Sequence, residues 1–82
     1  MWWPYRFRDA TGSTDPTERV RGFAAAVVAP SGGRDGFVEA TGRAGGAVDL
    51  WFRSERDPSE LDAWPEGLRA RALVAERLKG RN

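Results

Sequence analysis

The stretch GFVEATGRAGGAVDLWFR, residues 36–53, alternates on both sides of a glycine-rich centre. Val38 and Ala40 on one arm, and Val48, Leu50 and Phe52 on the other, interleave with Phe37, Glu39, Thr41, Asp49, Trp51 and Arg53. A period of two is the mark of a strand with one face buried. Gly42, Gly45 and Gly46 supply a turn, so the stretch reads as a β-hairpin with arms 36–42 and 47–53. Placing Val38, Ala40, Val48, Leu50 and Phe52 on one face leaves two registers. One sets Glu39 against Asp49, a like-charge pair that destabilises a sheet. The other sets Thr41 against Asp49, Glu39 against Trp51 and Phe37 against Arg53, and is preferred. In that register Phe37, Trp51 and Arg53 share the opposite face.

Upstream, residues 2–8 (WWPYRFR) alternate as well, with Trp3, Tyr5 and Phe7 on one side and Arg6 and Arg8 on the other. Pro4 donates no ladder hydrogen bond, which points to an edge strand. Asp15-Pro16-Thr17-Glu18 is a helix start: a capping carboxylate, a proline at the first helical position, and a glutamate three residues after the cap. Val20, Phe23, Ala24 and Val27 then follow helical spacing, giving a helix over 16–29 stopped by Pro30 and Gly32-Gly33. A strand through Val20, Gly22, Ala24, Ala26 and Val28 is the competing assignment. Asp57-Pro58-Ser59-Glu60 repeats the cap and opens a short helix ending at Trp64. Pro65 begins a second helix running to Lys79 and stopped by Gly80, or only kinks one long helix over 58–79. Two residues disturb this last helix: Arg71 interrupts its apolar half and Leu73 its polar half.

These elements describe one small α+β domain over residues 1–82. Its order is β-α-β-β-α: a three-stranded antiparallel sheet from 2–8, 36–42 and 47–53, with helices packed on one face. The chain has 82 residues, 13 basic and 12 acidic, with a net charge of +1. A chain this short buries a modest share of its surface, and without cysteine it depends on large rings. Four Trp, four Phe and one Tyr meet that need. Lacking histidine and cysteine, it offers no imidazole base, no thiolate and no motif for a metal or cofactor, and no catalytic residues are assigned. Enzymatic activity is therefore not the favoured reading.

Composition also bears on setting. Arginine is the basic residue almost throughout, beside Lys79 alone, a bias of G+C-rich bacterial or phage genomes. The segment MWWPYRFR lacks the apolar core of a signal peptide and no apolar run is long enough to span a membrane, which points to the cytoplasm.

Function is expected to lie in binding: a small regulator or inhibitor that occupies the surface of a larger bacterial or phage protein. Trp51, Phe37 and Arg53 are the expected protein-binding anchors, with Trp2 and Trp3 as a second patch, because Trp and Arg dominate interface hot spots. The N-terminal strand offers an edge for self-association. The alternative is a nucleic-acid surface on which Trp51 stacks bases and Arg6, Arg8 and Arg53 contact phosphates. Glu39 and Asp49 on the same face oppose that alternative.

Overall fold

The computed structural model describes residues 1–40 and 45–79. Strand β1 (Trp2–Asp9) leads to helix α1 (Thr17–Val28), followed by a 3-10 turn over Ala29–Ser31. Strands β2 (Gly36–Glu39) and β3 (Val48–Arg53) come next, then a second 3-10 turn over Pro58–Glu60, helix α2 (Ala63–Ala70) and strand β4 (Leu73–Arg77). The four strands form one antiparallel sheet in the order β2-β3-β1-β4. Each helix thus links two parallel strands with a third inserted between them, giving two interleaved split β-α-β units. The α+β class holds; the sheet has four strands where the sequence suggests three.

The fourth strand replaces most of the expected C-terminal helix. Ala72 adopts φ 54°, a left-handed conformation that reverses the chain after α2. Leu73 and Ala75 then turn inward with a period of two, opposite Asp9 and Phe7 of β1. Arg71 and Leu73 disturb the helical pattern because the helix has already ended. Pro65 neither breaks nor kinks α2. It lies in the first turn, where amides have no intrahelical partner and a missing N–H costs nothing. Only Pro58–Glu60 of the expected helix 58–64 forms its own turn, with the Asp57 carboxylate accepting from the Ser59 amide at 3.0 Å. The expected helix stop at Gly80 lies outside the described residues.

Pro4 does not mark an edge. Strand β1 is central, flanked by β3 and β4. The Pro4 carbonyl accepts from the Leu78 amide at 3.0 Å, just beyond the last β4 residue. In an antiparallel ladder a residue's N–H and C=O point to the same neighbour, so the absent Pro4 donor faces the margin of the sheet.

One face of the sheet carries the core. Tyr5, Phe7, Val48, Leu50 and Phe52 meet Val20, Phe23, Ala24 and Val27 of α1 and Trp64 of α2. The buried α1 residues are those of the expected helical stripe. The Trp64 indole lies 4.7 Å from Tyr5, 5.0 Å from Phe23, 5.5 Å from Phe52 and 5.8 Å from Phe7, centroid to centroid. Gly67 lets the helices close: a Cβ there would sit 2.9 Å from the Phe23 ring. At the end of β1, buried Asp9 accepts from the Thr11 hydroxyl and amide, the Ser13 amide and Arg19. The same Arg19 donates to the Arg71 carbonyl at 2.7 Å, joining this turn to the reversal after α2. Hydrogen bonds from Thr11, then Arg19, hold the Asp9 carboxyl well below the usual carboxylate range.

Gly67→Ala is expected to destabilise the fold by about 1–3 kcal/mol through the clash with Phe23. Ala72→Gly is expected to stabilise it by about 0.5–1 kcal/mol by relieving the left-handed residue. Urea unfolding measures both. A depressed folded-state pKa means that the stability Asp9 provides is present above its ordinary pKa of 3.8 and is lost as pH falls through the lower, folded value. Asp9→Asn should therefore lower the thermal midpoint at pH 7 and flatten the acid limb of midpoint against pH.

Candidate functional site

Because both helices cover one face, the even-numbered side of β1 and β4, the odd-numbered side of β3 and the Val38 side of β2 form an open face. Alternation in β3 fixes the assignment: Val48, Leu50 and Phe52 are buried while Asp49 and Trp51 are half-buried and Arg53 is exposed. Across the strands Val38, Trp51 and Pro4 stand in register, with Leu78 beside Pro4. On one side of this row lie Asp49, Arg6 and Glu76; on the other, Arg53 and Trp2. Trp2 is 50% exposed, Val38 52% and Val74 50%.

The charges on this face are largely paired within it. Arg6 makes a two-pronged contact with Asp49, Nε to Oδ1 at 2.8 Å and Nη2 to Oδ2 at 3.0 Å. The Asp49 carboxylate, by hydrogen bond and charge, raises the pKa of Arg6 further. Arg8 approaches Glu76 at 3.7 Å. Arg53 extends over Gly36, which has no side chain to block it, and donates to the Arg34 carbonyl at 3.4 Å.

The expected anchors therefore separate. Trp51, Arg53 and Trp2 share the open face, and so do Arg6 and Arg8 of the nucleic-acid alternative. Phe37 does not: it lies opposite Phe52, its ring 6.1 Å away, and packs partly buried against the core. Trp3 is also on the core side, opposite Phe52, and its indole donates to the Ser54 carbonyl at 3.0 Å. The hairpin register explains Phe37. Val38 stands opposite Trp51 and Glu39 opposite Leu50, one residue from either expected register. That shift buries the larger Phe37 in place of Val38, and Glu39 meets Arg21 of α1 at 3.0 Å. The expected Thr41–Asp49 pair and the Gly42 part of the turn lie outside the described residues. Missed from sequence were Val38, Pro4 and Val74 on the open face; the Glu39–Arg21 charge match was the clue to the strand's orientation.

A second polar group closes the edge near Trp3. The Tyr5 hydroxyl donates to Asp57 Oδ1 at 2.6 Å, and Arg77 reaches Asp57 Oδ2 at 2.9 Å while lying 5.0 Å over the Trp3 ring. Burial raises the Tyr5 pKa, and its bond to Asp57 adds to the rise. Burial also disfavours ionised Asp57, but the bonds from Tyr5, Ser59 and Arg77 outweigh it and leave its pKa below the ordinary value. These contacts tie β1, β4 and the Pro58–Glu60 turn together. At this end a cleft of about 770 Å³ opens between Met1, Arg53, Glu55 and Leu61. Among the described residues no group of three or more carboxylates could hold a metal ion, and no helix is long and apolar enough to cross a membrane.

No family model, curated protein or solved structure matches the chain. Exchanging Asp49 for Asn, which keeps the shape of the site, is expected to free Arg6 and make the face more basic while shifting stability by less than about 1 kcal/mol. Electrophoretic mobility and urea unfolding check the two parts.

Proposed function

We propose that the chain is a protein-recognition module whose contact surface is the open sheet face. The observation that supports this most directly is an apolar row on the helix-free side of the sheet, running from exposed Val38 through half-buried Trp51 to buried Pro4 and bordered by mutually paired charges. An apolar centre with a polar rim is the composition of a specific protein interface. Trp51 is the central anchor, Trp2 and Val38 extend its apolar area, and Arg53 supplies donors at the border. Action is by occupancy of a surface and not by chemistry. Composition favours a small cytoplasmic regulator of a bacterial or phage protein.

The second reading, a single-stranded nucleic-acid surface, draws on Trp2 and Trp51 lying on the two central strands, where aromatic rings of a four-stranded sheet can stack bases. Asp49 and Glu76 count against it by occupying Arg6 and Arg8. With a net charge of +1 the chain has a weak field for a phosphate backbone.

Trp51→Ala is expected to abolish capture of native-host proteins on the immobilised chain and leave the thermal midpoint nearly unchanged. Phe52→Ala, on the core side, should cost about 3–5 kcal/mol. Equal capture by Trp51→Ala and the parent chain would overturn the reading, as would a Trp51→Ala midpoint as low as that of Phe52→Ala. Fluorescent oligonucleotides titrated at low salt and at about 200 mM salt are expected to show no tight binding; binding with a steep salt slope would favour the second reading.

A further inference from the structure

We propose that the open face closes on the same face of a second copy of this chain, about a two-fold axis laid along the row of Val38, Trp51 and Pro4. This rests on the reading of that face as a protein-recognition surface and names its partner. The argument comes from the register. A two-fold axis along the row sets each copy's row upon itself, Val38 against Val38 and Trp51 against Trp51, with buried Pro4 beneath the end of the row. It also lays what stands on one side of the row over what stands on the other. Asp49 and Arg53 lie two residues to either side of Trp51 on β3, so each Asp49 meets the other copy's Arg53. Arg6 and Trp2 lie two residues to either side of Pro4 on β1, so each guanidinium meets an indole. No like charges are opposed, and each favourable contact forms twice.

The balance of charge agrees. Arg6 and Arg53 against Asp49 and Glu76 sum to zero beside the row, and Arg8, two residues farther along β1, leaves each whole face with a single positive charge in excess. A polyanion would have to displace Asp49 from Arg6, whereas a second copy adds Arg53 to an Asp49 that already holds one arginine.

The size of the face sets the strength. Four strands about 4.8 Å apart and about five residues long, at about 3.3 Å per residue, present a face of about 300 Å² before side-chain relief. With relief the total buried by two copies is on the order of 1,000 Å², the lower limit for a specific contact. The dimer is accordingly weak and concentration-dependent, with dissociation in the micromolar range.

Sedimentation equilibrium of the full chain from about 5 to about 500 µM tests this. The expected result is a rise from monomer to dimer mass across that range. Trp51→Ala should leave a monomer, and Arg53→Asp should raise the dissociation constant at least about tenfold by opposing Asp49. Mixing Arg53→Asp with Asp49→Arg chains should restore a mixed dimer, because one native and one reversed ion pair then form. Should Trp51→Ala or Asp49→Arg fail to fold by circular dichroism, Arg53→Asp against Arg53→Gln carries the test, with reversal expected to weaken the dimer more than neutralisation. A chain monomeric at every concentration overturns the proposal. If that monomer still captures another protein in a Trp51-dependent way, the recognition face stands with a different partner; if it binds oligonucleotides with a steep salt slope, the face belongs to nucleic acid. A dimer unaffected by both Trp51→Ala and Arg53→Asp also overturns it and assigns association to the strand edges.

Discussion

The position of one indole governs much of this molecule. Trp64 of α2 lies within 6 Å of Tyr5, Phe7, Phe23 and Phe52, so a single ring touches β1, α1 and β3 together. In a chain of 82 residues that shared burial supplies what disulfides or metals provide in other small domains. It also draws both helices onto one side of the sheet. The exposure of Trp2 on the other side follows from that asymmetry, because no helix among the described residues covers that face.

The backbone devices around this core allow its close approach. Gly67 brings α2 against Phe23, and the left-handed Ala72 sends the chain into the fourth strand. Arg19 bridges buried Asp9 to the carbonyl end of α2, so the turn after β1 and the reversal before β4 are held by one side chain. On the far edge Tyr5, Asp57 and Arg77 do the same for the Pro58–Glu60 turn. Polar groups thus appear where elements change direction, and rings where they pack.

Much of this was legible in the residues. The aromatic alternation of β1, the Val20–Phe23–Ala24–Val27 stripe and the alternation of β3 each contain a complete period, and each forms as it reads. Where the reading failed, a short segment carried two periods at once. Leu73, Ala75 and the residues before them fit a helix face about as well as a strand face, and only β1's unpaired side favours the strand. Pro4 misled because its missing donor was weighed without knowing which neighbour it faced. The face of β2 turned on a choice between Phe37 and Val38, adjacent apolar residues that cannot both point inward. A long-range ion pair from Arg21 to Glu39 accompanies the solution, and such pairs are invisible to local periodicity. Trp51 and Arg53 survived as neighbours since β3 is long enough to state its own alternation.

The order of strands has a consequence for how the chain is made. Its shortest strand-to-strand connection is that of β2 with β3, whereas β1 must pair with residues as far away as Arg77. During synthesis Trp2, Trp3, Tyr5 and Phe7 therefore leave the ribosome long before either neighbouring strand exists. Contacts so distant along the chain slow the search for the native state and keep an aromatic ribbon bare in the interval. The arginines at positions 6 and 8, spaced among those rings, place charge in the segment most exposed to premature association.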